Sequence, residues 1–189
     1  MKKLIIATLL SIISFSIMAY DFKAIGPGGK ELCYTIVSME NKTVELAAGE
    51  PDGSTYTGTV IIPAFVTFND ITWTVIGIGP KAMRCPGLEQ VVIPESVTYI
   101  GYKAFCKCPM LSYIQLPSSI RKIAYRALDN LSNLSTIYIK NPDPSTITVE
   151  DGNDFTLYSN SVVTVQVPPS AVMQYARTQP WANARVESF

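Results

Sequence analysis

The amino-acid sequence is poor in the side chains that most enzymes use for acid–base and metal chemistry. Its 189 residues contain no histidine, which removes the usual general base, a common zinc ligand and every Ser-His-Asp arrangement. The glycine-rich segment 26–29 lacks the lysine and the strand context of a phosphate-binding loop. We therefore predict that the protein is not an enzyme and has no catalytic residues, no metal site and no cofactor. The weaker alternative is a hydrolase without histidine, which would depend on carboxylates that the sequence alone does not place.

Two other groups of side chains are candidates for metal binding, but their spacing argues against it. Cys85, Cys106 and Cys108 lack the paired C-x-x-C spacing of a zinc knuckle, and Cys33 lies far upstream. The acidic segment 150–154 suggests a calcium loop, but it lacks the ligand spacing of an EF-hand. A solvated turn is the favoured interpretation of this segment.

Residues 1–19 have the pattern of an export signal. Lys2 and Lys3 form a basic start, residues 4–18 are apolar or small, and Ala19 is a small residue at the expected cleavage point. A membrane span needs roughly 20 apolar residues, so we expect this segment to be removed; the alternative is an anchor that stays. The sequence therefore predicts a secreted, periplasmic or cell-surface protein with no membrane span after removal of the signal.

The charge of the remaining chain excludes some classes of partner. Without Lys2 and Lys3, 13 basic side chains face 15 acidic ones, a net charge of −2. No basic stripe is visible along the sequence, so we predict neither a nucleic-acid partner nor an anionic membrane partner. The length from residue 20 to residue 189 fits one folded domain with a substantial core.

Three segments of the chain repeat one pattern of apolar residues, glycine and proline. Ile100 and Ile123 lie 23 positions apart, and so do Leu111 and Leu134. Each unit contains a substituted L-x-x-L-x-L motif whose last two apolar positions alternate, as in a strand with one buried face. The three trios are Leu88, Val91 and Ile93; Leu111, Ile114 and Leu116; and Leu134, Ile137 and Ile139. The length and the pattern indicate leucine-rich repeats, in which stacked units share a continuous core.

The second half of each unit follows a different period. After Pro94 and Pro117 the apolar residues recur at steps of three and four, which predicts a short helical or 3₁₀ piece. The predicted fold class is therefore an α+β repeat, a short leucine-rich-repeat solenoid. Cys85 and Cys108 share one repeat position with Leu131, which favours a buried apolar site. A disulfide between the two stacked cysteines is the alternative.

Segments outside the three repeats are expected to close the ends of the stack. The sequence predicts a β-rich N-terminal cap over residues 20–75 and the three repeats over residues 76–140. It predicts a divergent last repeat with a C-terminal cap of strand and helix over residues 141–189. The predicted strands of the N-terminal cap are a hairpin of residues 32–36 and 43–46, followed by residues 59–62, 65–68 and 71–75.

The C-terminal cap contains one predicted strand and one predicted helix. Residues 162–167 alternate as a strand does, and Ser170 is a suitable N-cap for a helix over residues 171–178. Tyr175 and Trp181 are expected to fold back onto the last repeat.

The repeat unit IGYKAFCKCPMLSYIQLPSSI, residues 100–120, resembles the BspA-like leucine-rich repeats of exported bacterial surface proteins of the Bacteroides type. The closing segment VQVPPSAVMQYARTQPW, residues 165–181, resembles the end of the same proteins. Met83 and Leu128 replace Phe105 in the first and third units, and prolines stand where ordinary leucine-rich repeats carry asparagine, so no asparagine ladder is expected. The resemblance implies a role in adhesion to host or matrix proteins or in contacts between microbes.

The residues between the buried strand positions are expected to point outward and to line up from one unit to the next. These candidate binding residues are Gln90, Val92, Tyr113, Gln115, Thr136, Tyr138, Thr164 and Gln166. A row with tyrosines and few charges suits recognition of a protein, because tyrosine supplies contact area and a hydrogen bond at low entropic cost. We predict a binding or adhesion module for a host or microbial macromolecule; the alternative is a carbohydrate-binding accessory protein.

Overall fold

The computed structural model describes residues 20–49, 56–153 and 162–189; the predicted export signal lies outside these ranges. Within them the backbone forms fourteen strands and one short α-helix, α1 (Val172–Tyr175). The strands are β1 (Phe22–Ile25), β2 (Glu31–Ser38), β3 (Thr43–Leu46), β4 (Gly58–Ile61), β5 (Phe65–Phe68), β6 (Ile71–Ile78), β7 (Leu88–Val92), β8 (Tyr99–Ile100), β9 (Tyr113–Leu116), β10 (Lys122–Ile123), β11 (Thr136–Ile139), β12 (Thr148–Val149), β13 (Thr164–Val167) and β14 (Arg185–Ser188).

The first sheet joins the N-terminal strands to the second half of each repeat. Its order is β1-β2-β3-β6-β8-β10-β12, and β5 pairs with β6. The predicted hairpin of β2 and β3 is confirmed as an antiparallel pair, whereas β6, β8, β10 and β12 pair in parallel. Gly77 is needed in β6 because the ring of Tyr99 lies where a side chain at that position would be.

The second sheet consists of the first half of each repeat, with one strand added on each side. Its order is β14-β13-β11-β9-β7-β4, and every adjacent pair of strands is parallel. Val91 pairs with Ile114, and Ile114 pairs with Ile137, so that positions 23 residues apart lie side by side. The outer additions, β4 and β14, were not placed in this sheet by the sequence pattern.

A continuous apolar core lies between the two sheets. The second sheet contributes the fully buried side chains of Ile114 and Ile137, and the first sheet contributes those of Ile100 and Ile123. Burial of each such side chain stabilises the fold by about 1.5–3 kcal/mol. Phe105 fills the space between the sheets in the second unit, where Met83 and Leu128 stand in the others.

The prediction of a short helical piece in each repeat is wrong, because this part of the unit contains a two-residue strand followed by a turn. Lys81, Lys103 and Arg126 have φ values of 57°, 52° and 54°, a left-handed conformation that interrupts a right-handed helix. The turns bond to neighbouring units: the N–H of Met83 donates to the Ala104 carbonyl at 2.9 Å. Alternate donors of the turn therefore connect one unit to the next, while the N–H groups of Ala82 and Arg84 bond within their own turn.

The C-terminal helix is shorter than predicted, and Ser170 is not its N-cap. Ser170 lies inside a 3₁₀ turn, Pro169–Ala171, and α1 begins only at Val172, where no side chain caps the helix. The prediction that Tyr175 and Trp181 fold back is confirmed: both are fully buried, and their rings meet edge to face with centroids 5.7 Å apart. The Tyr175 hydroxyl donates to the Asn141 carbonyl at 2.9 Å.

Two buried asparagines bond to the backbone of the third repeat. The Asn153 side-chain oxygen accepts the N–H of Leu128 at 3.0 Å, and its amide donates to the Ala124 carbonyl at 2.8 Å. In the preceding unit the equivalent donor, the N–H of Phe105, bonds to the Ala127 carbonyl instead. Asn153 thus takes the place of the backbone of a next unit. Asn141 acts similarly, because its amide donates to the Ile120 carbonyl at 3.2 Å.

Candidate binding face

The outer side of the second sheet, called here the strand face, presents the predicted binding residues in two columns. Parallel pairing places each residue beside the equivalent residue of the next strand. One column contains Gln90, Tyr113, Thr136 and Thr164, and the other contains Val92, Gln115, Tyr138 and Gln166. All eight residues therefore lie on one face, as the strand period predicts; their role in binding stays a prediction.

The strand face is only partly exposed and nearly neutral. Gln90 and Val92 are exposed, and the other six predicted residues are half-buried because they pack against their neighbours in the columns. The residues between the columns are buried in the core, including Val91, Ile114 and Ile137. This alternation separates the side chains that hold the fold from those that a partner can reach.

The two tyrosines of the strand face lie close together. The Tyr113 hydroxyl donates to the side-chain oxygen of Gln115 at 3.4 Å. Burial, and then the neighbouring Tyr138, raise the pKa of Tyr113 above its ordinary value. Tyr138 stacks on Phe189, with ring centroids 4.3 Å apart and an angle of 26° between the rings. Phe189 therefore covers part of the Tyr138 ring.

The structure extends both columns beyond the predicted residues. Upstream, β4 places Thr59 beside Gln90 and Ile61 beside Val92. Downstream, β14 places Arg185 beside Thr164 and Glu187 beside Gln166. The alternation of β4 was visible in the sequence, but its partner strand was not, because β4 lies outside the recognisable repeats. Arg185 and Glu187 pair with each other at 2.5 Å, so this end of the face adds little net charge.

The repeated strands and turns match a known family. The model of the BspA type leucine-rich repeat region matches residues 76–175 in six copies, which is more than half of the chain. The chain belongs to this family. The match continues past the three units seen in the sequence and into the C-terminal segment. No curated protein matches the sequence of this BspA-type chain.

Solved structures of bacterial leucine-rich repeat proteins share the fold. A leucine-rich repeat protein from Bacteroides capillosus is 25% identical, with a TM-score of 0.57 over 72% of this chain and 93% of that one. A leucine-rich repeat protein of T. pallidum is 18% identical, with a TM-score of 0.50 over 71% of this chain and 68% of that one. A leucine-rich cell surface protein from Faecalibacterium prausnitzii is 21% identical, with a TM-score of 0.51 over 80% of this chain and 44% of that one.

The rim of the strand face in this BspA-type chain carries an ion pair that spans several units. The Glu95 carboxylate accepts hydrogen bonds from the Ser118 N–H at 2.9 Å and from Lys140 Nζ at 3.0 Å. Partial burial opposes ionisation of Glu95, but these donors outweigh it and lower the pKa of the carboxyl group. Lys140 is thereby held beside the columns without adding a free charge to the strand face.

The acidic turn that suggested a calcium loop is occupied by internal contacts. The Glu150 carboxylate pairs with Lys122 at 2.7 Å and accepts the N–H of Tyr125 at 2.8 Å. Both interactions lower the pKa of Glu150. Among the described residues no group of three or more metal-ligating side chains is found, and residue 154 lies outside them. A cavity of about 270 Å³ adjoins this turn, lined partly by Asp151 and Asn183.

The four cysteines are buried and carry thiols, so the structure follows the prediction of a buried site and not the disulfide alternative. The Cys108 thiol donates to the Met83 carbonyl at 2.7 Å and accepts the N–H of Cys85 at 3.3 Å. Leu131, at the equivalent position of the third unit, is buried as well.

Across the described ranges, no helix is long and apolar enough to cross a membrane.

Proposed function

We propose that this chain is an exported, non-catalytic binding module, a short capped solenoid that holds another protein through its strand face. The observation that carries the proposal is the alignment of polar and aromatic side chains into two continuous columns across the second sheet. Such a surface is long, rigid and built on hydrogen-bonded strands, which keeps the loss of entropy on binding small.

The chemistry of the columns supports a protein partner. Tyr113 and Tyr138 supply aromatic area and hydroxyl groups, and glutamine and threonine supply adaptable hydrogen bonds. The exposed side chains of Ile61 and Val92 add apolar surface on the second column. The scarcity of unpaired charge suits the centre of a protein interface better than the binding of a polyelectrolyte.

The family also supports this role. The F. prausnitzii protein of similar fold is a leucine-rich cell surface protein. For this chain, the signal pattern of residues 1–19 supports export to the cell exterior or the periplasm. Repeat folds of this kind present extended surfaces suited to binding.

The test replaces the two tyrosines of the strand face and measures attachment. The mature protein, Tyr113→Ala/Tyr138→Ala and the control Phe65→Ala are compared on immobilised extracellular matrix proteins and on host and bacterial surface extracts. Phe65 is a suitable control because it is 62% exposed and lies on β5, in the first sheet. Two central tyrosines are expected to account for about 2 kcal/mol or more, so attachment should weaken at least tenfold in the double variant only.

Two results would overturn the proposal. One is unchanged attachment by a folded double variant, which would move the binding site away from the strand face. The other is a mature protein that attaches to none of the immobilised proteins or extracts. Attachment to glycans alone, lost in the same variant, would favour the carbohydrate-binding alternative instead.

A further inference from the structure

A second surface, at the turns that follow the short strands of the first sheet, gathers basic residues that are scattered in the sequence. Lys81, Lys103 and Arg126 occupy equivalent positions in consecutive units and share the left-handed conformation. The Lys81 N–H donates to the Tyr102 carbonyl at 3.0 Å, and the Lys103 N–H to the Tyr125 carbonyl at 3.3 Å. Consecutive turns are therefore stacked directly, about 4.8 Å apart, and their cations form a row.

A second row runs beside the first and encloses a cavity with it. Arg84 and Lys107 lie 23 positions apart and follow the same turn in the first and second units. A cavity of about 180 Å³ is lined by Lys81, Arg84, Lys103 and Lys107, together with Cys106. We call these four cations and Arg126 the basic edge.

The cations that line the cavity are not neutralised by the fold. In the described part of the chain, Lys81, Arg84, Lys103 and Lys107 have no carboxylate within 4.0 Å. The ion pair that Arg126 makes with a described residue is a long contact with Asp129, at 3.9 Å. Clustered positive charges attract anions, so this arrangement favours the binding of an anionic ligand.

The neighbouring aromatic rings are already engaged. Tyr102 and Tyr125 stack in parallel with ring centroids 6.0 Å apart. Lys103 Nζ lies 5.1 Å from the Tyr102 ring centroid, and the Arg126 guanidinium lies 5.2 Å from that of Tyr125. Both rings also keep exposed surface, so a single-stranded DNA oligonucleotide, whose bases could stack on them, is included in the test below.

We propose that the basic edge binds the sulfate groups of an anionic polysaccharide. The cavity accommodates one tetrahedral oxyanion between the two rows, and the remaining cations continue along the stack for the next groups of a linear chain. The site is separate from the strand face: it lies on the turns of the first sheet and recognises charge instead of neutral polar surface. It goes beyond the proposed function and does not depend on it.

The test measures binding of a heparin-derived octasaccharide to the mature protein, with the same oligosaccharide after complete desulfation as the matched ligand. The variant Arg84→Gln/Lys107→Gln removes two cations of the cavity and leaves the contacts of Lys103 with Tyr102 intact. The control Lys30→Gln/Lys42→Gln removes two positive charges outside the basic edge. Each double variant changes one residue with positive φ, Lys107 at 65° in the cavity variant and Lys42 at 51° in the control.

The sulfated octasaccharide should bind, with affinity that falls as salt rises, and the cavity variant should bind at least tenfold more weakly. The control variant should bind as the unaltered protein does. Equal binding of the desulfated ligand, equal loss in both variants, or no binding at low salt would overturn the proposal. So would a single-stranded DNA oligonucleotide that binds as tightly and is lost in the same variant.

A second measurement needs no variant and keeps the proposal testable if the double substitution impairs folding. Lysine acylation of the unaltered protein is mapped by mass spectrometry with and without the octasaccharide. Lys81, Lys103 and Lys107 should be protected, and Lys30 and Lys42 should not. Protection of all lysines alike, or of none, would count against the basic edge.

Discussion

At the scale of single residues, the buried cysteines behave as apolar fillers that also complete hydrogen bonds. Cys108 lies between the backbone of Met83 and that of Cys85, where its thiol serves as both donor and acceptor. Burial raises the pKa of this thiol to about 12. The same position accepts Leu131 in the third unit because burial is its main requirement.

The thiols give a direct prediction for alkylation. Native protein at neutral pH should leave Cys108 unmodified by iodoacetamide, because a thiol with a raised pKa forms little thiolate and is shielded by the fold. Denaturant alone, without reductant, should then make all four cysteines reactive, as read by mass spectrometry. Labelling of Cys85 and Cys108 only after reduction would instead show a disulfide between them.

The ion pair of Glu150 predicts a dependence of stability on pH. The pKa of Glu150 is lowered in the folded state, so its contribution is present above the unfolded value of about 4.3 and is lost as pH falls through the folded value. Glu150→Gln should therefore lower the free energy of unfolding at pH 7, and the difference from the unaltered protein should shrink at pH 3.

Urea unfolding at the two pH values measures this difference. The control is Glu89→Gln, because Glu89 is exposed and its carboxylate has no lysine or arginine nitrogen within 4.0 Å in the described ranges. A Glu150→Gln effect that is the same at pH 7 and at pH 3 would contradict the prediction.

At the scale of the elements, each repeat is a strand, a turn, a two-residue strand and a left-handed turn. The left-handed turn directs backbone donors toward the adjacent unit, so neighbouring units hold each other in register. A stack built this way leaves unpaired backbone groups at its last unit. Asn153 satisfies one donor and one acceptor there, and Asn141 satisfies a further acceptor.

Removing the Asn153 side chain tests this closure. Asn153→Ala leaves the buried N–H of Leu128 without its acceptor and should destabilise the protein by about 1–3 kcal/mol. Asn133→Ala, at an exposed position, should change stability by less than about 0.5 kcal/mol. Thermal and urea unfolding of both variants provide the measurement, and equal effects would refute a closing role for Asn153.

At the scale of the whole molecule, the C-terminal segment completes the second sheet from outside the recognisable repeats. β14 pairs with β13, and the segment before it is anchored by the buried rings of Tyr175 and Trp181. The same segment ends at Phe189, which stacks on Tyr138 of the strand face. The fold of the end of the chain and the shape of the candidate binding face are therefore linked.

Trp181 is expected to hold this segment in place. Trp181→Ala should destabilise the protein by about 3–5 kcal/mol, because it removes a fully buried indole. In this variant the backbone amides of β14 should exchange with deuterium faster than they do in the unaltered protein. The increase should be larger for β14 than for β9, which lies in the centre of the sheet. Met173→Ala, on the exposed side of α1, is the control, and an equally large effect there would contradict the prediction.

The repeat, the buried positions and the strand face with its eight candidate residues all follow from the amino-acid sequence. They do so because a strand alternates its side chains with period two, and because stacking places equivalent positions side by side. The lack of histidine in the sequence similarly narrows the chemistry that the chain can perform.

Tertiary contacts, in contrast, determine which elements outside the repeats join the sheets. They also determine the backbone conformation of the second half of each repeat, the part that follows Pro94 and Pro117. β4 and β14 lie outside the recognisable repeats, so no repeat motif in the sequence marks which strand each of them pairs with. The three-and-four spacing suggested a helix, but hydrogen bonds between units favour left-handed turns. Those same turns bring Lys81, Lys103 and Arg126 into one row, a basic edge that the separated residues of the sequence did not reveal.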